Sequence, residues 1–269
     1  MYCLAYKDDN IEELYFKHLY CMLQVWNNIK NYYSNSVYRI LNYNPDTLMK
    51  LLIISHDSGK LLKVYQEGGK RNYRHEVISA YVVYKFGPEI IKSDNYNTEE
   101  VNLILSNVVL LHHENIILSI YAGKHGERLI PLSVIRKMIN NYKDKFKIEC
   151  NLKEDQFYER VKQEVSFLDN FVEYTEQLFK KDSSDDIYQV ISEIILKTTS
   201  RIGEGSLVIR NKVAALLHLL NVVDSVAANK SRNIKNINNK NKDSGNWIAK
   251  RALDGAELID ENKINCGEV

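Results

Sequence analysis

The sequence is organised around the stretch Leu51-Leu52-Ile53-Ile54-Ser55-His56-Asp57-Ser58-Gly59-Lys60, in which a histidine and an aspartate follow an apolar run. Burying an ionised carboxylate beside such a run is costly unless the carboxylate is paired or binds a metal ion. A solvated helix end, stopped by Gly59, would explain the His-Asp pair equally well. The interpretation therefore depends on the other histidines and acids of the chain, above all His18, His75, His112, His113 and Asp224.

Length and composition favour one large globular domain. The chain has 269 residues, of which 45% are hydrophobic, and this can supply a substantial core. It contains only 3 prolines and 11 glycines, so long uninterrupted elements are expected. The net charge of +1 creates no overall field for an anionic partner. Any nucleic-acid surface must therefore be local.

The sequence predicts a cytoplasmic protein. Its four cysteines lie far apart and form no CxxC pair, which argues against a zinc knuckle and for a reducing compartment: Cys3, Cys21, Cys150 and Cys266. No apolar run reaches the roughly 18 residues of a membrane span. Charged residues at positions 7–9 interrupt any signal-peptide pattern.

Apolar residues recur at helical spacing along most of the chain, which predicts an all-α fold. The predicted helices cover residues 11–30, 45–58, 75–86, 98–118, 131–142, 153–180, 187–199 and 207–228. Asn44 and Pro45 suit the start of the second helix, and Gly87-Pro88 should end the third. We expect one domain over residues 1–269, a helical bundle with its core at about 11–228, a basic loop at 229–245 and a terminal helix at 246–261.

Seven histidines and aspartates fall on apolar helix faces or at helix ends. His18 and Asp224 lie on apolar stripes, although a lone histidine there is more often a core residue than a ligand. His75 begins a helix, where the first-turn amides favour an anion. The pairs His56-Asp57 and His112-His113 end apolar helices. Because successive positions on a helix are about 100° apart, each pair can reach one metal site or two adjacent ones.

These side chains form a candidate metal centre. Imidazole and carboxylate ligands suit Zn, Fe, Mn, Ni or Mg in different proportions. Seven candidates exceed the need of one ion but suit two, and a pair of ions can neutralise the attacking and leaving oxygens of a phosphoryl transfer. Two further histidines are left out of the centre. His125 is predicted in an exposed loop, and His218 is predicted to pack on another face of the last helix.

Five pieces of the sequence, spanning residues 18–228, together carry a family resemblance. They are Phe16-Lys17-His18-Leu19, His56-Asp57-Ser58-Gly59-Lys60, Arg74-His75-Glu76, Leu111-His112-His113 and Val223-Asp224-Ser225-Val226-Ala227. This pattern resembles the HD superfamily of metal-dependent phosphohydrolases. Within it, the pattern is most similar to the CRISPR-associated HD nuclease of type I interference systems.

The resemblance implies two divalent ions of the Mg, Mn, Fe, Ni or Co class. It assigns one ion to His18, His56, Asp57 and Asp224. It assigns the second ion to Asp57, as a bridging ligand, with His75, His112 and His113. It also implies two catalytic residues, Asp57 and Lys60, with Lys60 near the scissile phosphate.

The resemblance further implies a nuclease that cleaves single-stranded DNA exposed in an R-loop, with RNA as a second substrate. No helicase motif is present, so a separate helicase subunit and the CRISPR RNA-guided surveillance complex would be its partners. The loop 63–74 carries candidate phosphate ligands, which are Lys63, Lys70, Arg71 and Arg74. Two alternatives stay open: an HD-type phosphohydrolase acting on nucleotides or other small phosphate esters, and a metal-free binding module.

Overall fold

The part of the chain that the structure describes is almost entirely helical, which confirms the predicted all-α class. The computed structural model describes residues 2–8, 11–68, 73–92, 97–113, 131–199, 204–232 and 264–267. Its strands are β1 (Leu4–Lys7) and β2 (Glu12–Leu14). Its α-helices are α1 (Tyr15–Leu41), α2 (Pro45–Ser55), α3 (Lys63–Gln66), α4 (His75–Ile90), α5 (Thr98–Leu111), α6 (Leu132–Tyr142), α7 (Tyr158–Glu164), α8 (Leu168–Lys181), α9 (Ser184–Thr199) and α10 (Glu204–Ser231). Short 3-10 helices occupy Ser58–Leu61 and Lys143–Lys145.

A small antiparallel hairpin precedes the first helix, where the sequence predicted a helix from residue 11. Lys7 pairs with Glu12, Tyr6 with Glu13 and Leu4 with Leu14. Burial alternates along β2, so that Glu13 points inward between more exposed neighbours. Alternating burial is typical of a strand with one covered face. The first helix consequently begins at Tyr15 and runs to Leu41, eleven residues beyond its predicted end.

The core forms where long helices pack against one another. Helix α1 packs against α2 and α10, α4 packs along α5, and α5 also contacts α10. Residues 51–54 of α2 are completely buried in this arrangement. The apolar run before His56 therefore lies at the centre of the bundle, and the end of α2 points its polar residues into the interior.

Helix α2 starts as predicted but ends earlier. The Asn44 side chain accepts a hydrogen bond from the amide of Thr47 at 3.0 Å, and Pro45 occupies the first turn. The helix ends at Ser55, with His56 as its C-cap residue, instead of continuing to residue 58. The chain then turns at Asp57 into the first 3-10 helix. His56 and Asp57 thus lie at a change of backbone direction.

Gly59 permits a close backbone approach and does more than end a helix. A Cβ atom there would lie 2.2 Å from the carbonyl oxygen of His75. The Gly59 amide donates to Oγ of Ser79 at 2.8 Å, and the hydroxyl of Tyr73 donates to the Gly59 carbonyl at 2.8 Å. These contacts bind the first 3-10 helix to the start of α4, which brings His75 beside Asp57.

The predicted end of α4 at Gly87-Pro88 is wrong, because the helix continues to Ile90. A proline inside a helix leaves the carbonyl four residues earlier without its partner. Here Nδ2 of Asn102 on α5 donates to that carbonyl, on Tyr84, at 2.8 Å. Gly87 leaves the space for this side chain, since a Cβ there would lie 2.1 Å from Oδ1 of Asn102. A side chain of α5 thereby replaces the hydrogen bond that Pro88 cannot donate, and α4 continues past the proline.

The long helix predicted over residues 153–180 is also wrong, because the structure divides it into α7 and α8. Val165 has extended dihedral angles (φ −124°, ψ 94°), which end α7. Val165 and Leu168 are both buried. Apolar periodicity therefore continues across a break that the sequence pattern does not reveal.

The cysteines are paired in two disulfides, Cys3–Cys150 and Cys21–Cys266. The partners lie 147 and 245 residues apart along the chain, so the local spacing of the cysteines does not predict the pairing. This pairing corrects the expectation of reduced cysteines and removes their support for a reducing compartment.

Some predictions fall outside the described residues. They are the terminal helix at 246–261 and the basic loop at 229–245 beyond residue 232. The described start of that loop belongs to the end of α10. Among the described helices, none combines the length and apolarity required to cross a membrane.

Candidate metal centre

The seven predicted ligand residues meet in two adjoining groups. The first contains His18 on α1, His56 after α2 and Asp224 on α10. The second contains Asp57, His75 at the start of α4, and His112 and His113 after α5. Within each group, one ligand atom from every residue lies within 4.8 Å of all the others. This spacing is short enough for a single ion to touch every member of a group.

His56 and His112 are oriented by the same type of local hydrogen bond. Each follows the last residue of its helix, and each places Nδ1 against the carbonyl three residues earlier. The distances are 2.8 Å from His56 to Ile53 and 2.6 Å from His112 to Val109. Because a carbonyl only accepts hydrogen bonds, Nδ1 must carry the proton in both rings. In the neutral form of each ring, Nε2 therefore presents a lone pair to the centre.

Several buried ligand atoms of the centre lack a hydrogen bond within the described structure. They are Nε2 of His18, His56 and His112, and Oδ1 of Asp57. A buried polar atom without a partner costs about 1–3 kcal/mol. Two of these four atoms belong to each ligand group. They fit divalent metal ions, which bind imidazole nitrogens and carboxylate oxygens as ligands.

Asp57 lies between the two groups. Its Oδ1 is 3.0 Å from Nε2 of His75 and 3.5 Å from Nε2 of His112. Its Oδ2 is 3.3 Å from Nε2 of His56 and 2.7 Å from Nζ of Lys60. One carboxylate oxygen thus faces each group, which is the geometry that a bridging ligand requires.

The outer edge of the second group is formed by two histidines. Nε2 of His75 and Nε2 of His113 lie 3.0 Å apart. His113 is exposed, whereas His112 is buried. Within the described part of the chain, the second group is therefore accessible at His113.

The first group joins the two longest helices. Nε2 of His18 lies 3.1 Å from Oδ1 of Asp224, whose side chain is 25% exposed. Nδ1 of His18 is 2.9 Å from Oε1 of Glu13. His18 is thus held between a buried carboxylate on one side and a ligand carboxylate on the other.

Glu13 is the residue of this centre that the sequence did not reveal. Burial would raise the pKa of Glu13, but His18, Arg232 and Ser231 lower it to about 2. Glu13 lies on β2, where the sequence predicted the start of the first helix. Its partners Ser231 and Arg232 are 218 and 219 residues away along the chain. The available signal was an acidic residue five positions before His18.

The charges of the centre are mutually stabilised. Burial would raise the pKa of Asp57, but His56, Lys60 and His112 hold it well below its usual range. Burial would lower the pKa of Lys60, but Asp57 raises it. Burial would likewise lower the pKa of His18, but Glu13 and Asp224 raise it to about 10. In the absence of metal, the carboxylates are therefore ionised, and Lys60 and His18 are charged.

The described cations of the loop 63–74 are engaged in ion pairs. Lys63 lies 2.9 Å from Glu149 and 3.4 Å from Glu67. Arg74 lies 2.5 Å from Glu76. Lys70 and Arg71 lie outside the described residues. A phosphate would have to compete with these carboxylates for Lys63 and Arg74.

Neither histidine that was left out of the centre contributes to it in the described structure. His125 lies outside the described residues, and His218 is exposed on α10. The prediction that His218 packs in the core is wrong. His218 is nevertheless absent from both ligand groups, as expected.

A helical bundle whose core holds paired groups of histidine and aspartate is consistent with an HD-like all-α fold. No protein-family model matches the chain. The chain is similar, however, to proteins named CRISPR-associated endonuclease Cas3-HD. The relative from Thermoproteus tenax is 28% identical over 229 residues, which cover 85% of this chain and 91% of the relative.

Two further relatives carry the same name. The one from Pyrococcus furiosus is 32% identical over 151 residues, which cover 51% of this chain and 60% of the relative. The one from Methanocaldococcus jannaschii is 28% identical over 167 residues, which cover 55% of this chain and 65% of the relative. The chain thus spans less than two thirds of these two proteins. Together the three similarities confirm the predicted resemblance: the chain is Cas3-HD-like.

Proposed function

We propose that the protein is a metal-dependent nuclease that cleaves phosphodiester bonds of single-stranded DNA in CRISPR interference, with RNA as a second substrate. The observation that carries the proposal is the pair of ligand groups joined by Asp57. The name shared by the three relatives supports nuclease chemistry and a CRISPR context.

The centre would hold two divalent ions of the Mg, Mn, Fe, Ni or Co class. The proposal is supported by the two groups of the structure, in which Asp57 is a member of the second group and directs Oδ2 toward His56 of the first. Bound ions would supply Lewis acidity and neutralise negative charge on the phosphodiester. The protein fixes the rings of His56 and His112 through their Nδ1 contacts and supplies the buried carboxylate of Asp57, so little side-chain reorganisation is required for binding.

Lys60 is the candidate for direct contact with the scissile phosphate. Its side chain is largely buried and its Nζ donates to Oδ2 of Asp57 at 2.7 Å. An ammonium group at this position can pair with a non-bridging phosphate oxygen while it keeps Asp57 oriented. We assign Asp57 and Lys60 as the catalytic residues on this basis.

A polymeric substrate requires a binding surface and partners. We propose that the loop 63–74 contacts the strand through Lys63, Lys70, Arg71 and Arg74, with Lys63 and Arg74 exchanging carboxylate partners for phosphates. A separate helicase subunit would deliver single-stranded DNA opened by the RNA-guided surveillance complex. We place this activity in the cytoplasm, within the single domain expected from the sequence.

The test compares substrates with and without added Mn²⁺. The purified protein is incubated with single-stranded DNA, single-stranded RNA, duplex DNA and a panel of nucleotides. We expect metal-dependent cleavage of the single-stranded polymers. Preferential hydrolysis of nucleotides would instead establish the small-molecule phosphohydrolase and contradict the nuclease proposal.

Asp57→Ala should abolish this activity, because the substitution removes the proposed bridging carboxylate, whose two oxygens face His56 of the first group and His75 of the second. The measured quantity is the cleavage rate of single-stranded DNA at saturating Mn²⁺, with folding checked by circular dichroism. His218→Ala serves as a control, since His218 is exposed and outside both groups. Full activity of a folded Asp57→Ala variant would remove Asp57 from the mechanism.

A further inference from the structure

A buried carboxylate lies directly behind one of the ligand histidines. The Glu13 side chain is completely buried, and its Oε1 is 2.9 Å from Nδ1 of His18. Arg232 donates from Nε to Oε2 of Glu13 at 2.7 Å, and the hydroxyl of Ser231 donates to Oε1. The carboxylate of Glu13, on β2, therefore contacts both the start of α1 and the end of α10.

His18 is held differently from the other anchored histidines. His56 and His112 each use a carbonyl within their own helix end. Nδ1 of His75 is 3.8 Å from Oε2 of Glu76, which is too long for a hydrogen bond. His18 lies within α1, where the carbonyls are taken up by the helix. Its orientation must therefore come from outside its own helix.

The contacts of Glu13 fix which nitrogen of His18 faces the centre. An ionised carboxylate can only accept hydrogen bonds, so Nδ1 of His18 must be the donor. Nε2 is then directed at Asp224 and His56, the other members of its ligand group. Arg232 and Ser231 occupy further lone pairs of Glu13, which keeps the carboxylate from rotating away.

We propose that Glu13 is a positioning residue for the metal site of His18, His56 and Asp224, acting through the imidazole of His18. The proposal rests on the metal binding that the proposed function requires, and names a residue beyond its ligand set. A carboxylate behind a ligand histidine orients the ring and raises its basicity, and its loss costs roughly 10- to 100-fold in metal affinity.

The test is a titration of Glu13→Gln with Mn²⁺, followed by calorimetry. Glutamine keeps the size of the side chain but removes the charge that pairs with Arg232. We expect one of two Mn²⁺ sites to weaken roughly 10- to 100-fold, while the other keeps its wild-type affinity. Glu12→Gln is the matched control, because Glu12 is the adjacent, exposed acid of β2 and its ion pair in the described structure, with Lys7, lies at the surface.

Nitrogen NMR of the Zn²⁺-loaded wild-type protein provides a second measurement that does not depend on a variant that folds. With ¹⁵N-labelled histidine, we expect His18 to retain a proton on Nδ1 and to bind zinc through Nε2. Zinc on Nδ1 would overturn the proposal, as would two unchanged Mn²⁺ sites in Glu13→Gln. If the wild-type protein bound no metal at all, both the proposed function and the role of Glu13 would be overturned.

Discussion

His18 carries a proton in the metal-free protein that an arriving ion must displace. Its pKa is raised to about 10, so the ring is protonated at pH 7 although it is completely buried. Metal ligation requires the neutral imidazole, and binding therefore releases this proton. Because protonation is favoured below pH 10, the affinity of this site should increase as the pH rises from 6 to 8.

Calorimetric titration with Mn²⁺ in buffers of different ionisation enthalpy measures this release. We expect about one proton from His18 per ion bound to its group. Glu13→Gln should release fewer protons, since the loss of a negative charge lowers the pKa of His18. An apparent affinity that is independent of pH would contradict the assigned protonation of His18.

At the level of single residues, the sequence predicted the candidate metal ligands but not the residues that orient them. Histidine and aspartate at helix ends and on apolar stripes are recognisable from local spacing, and the structure brings all seven together. The role of Glu13 depends on Ser231 and Arg232, which the chain reaches only after more than two hundred residues. No local pattern encodes such a contact.

Between elements, the contact of the first 3-10 helix with α4 leaves no room for a side chain at position 59. Gly59→Ala would place a methyl group 2.2 Å from the carbonyl oxygen of His75. We expect a loss of about 1–3 kcal/mol in the free energy of unfolding, typical of overpacking. The displaced start of α4 should also weaken metal binding at the group of His75 more than at that of His18.

Ser79→Ala provides the comparison for this prediction. It removes the hydrogen bond from the Gly59 amide to Oγ of Ser79 without adding an atom. Denaturant unfolding and Mn²⁺ titration of both variants separate a lost hydrogen bond from steric displacement. If Gly59→Ala matched the wild type in both measurements, the close approach would not be a requirement of the site.

Element boundaries illustrate where sequence patterns stop being informative. Asn44 and Pro45 act within their own turn, so the start of α2 was predicted correctly. The continuation of α4 past Pro88 depends on Asn102, a residue of a different helix. Gly87 was interpreted as part of a stop signal, although it provides space for that asparagine. Tertiary contacts thus override a local signal.

For the whole molecule, composition and periodicity were sufficient to predict a helical bundle. They could not predict which helices meet, because apolar stripes on α1, α5 and α10 are interchangeable partners. The ligand pattern supplied that information indirectly, since a common metal centre requires the ends of α2 and α5 to meet the start of α4. The β1–β2 hairpin was missed because its strands are only four and three residues long.

The two disulfides hold the chain together even where one peptide bond of the backbone is cut. The bridges Cys3–Cys150 and Cys21–Cys266 enclose overlapping segments. A single cut at any bond between Cys3 and Cys266 therefore leaves both fragments covalently joined.

Limited trypsin digestion should give nicked protein that migrates as one full-length chain on a denaturing gel without reductant, and as two fragments once dithiothreitol is added. Separate fragments before reduction would show that the cysteines are unpaired. In an intact crosslinked molecule, the ligand-bearing pieces stay tethered at high local concentration, so a nicked protein can reassemble its centre as a unimolecular process.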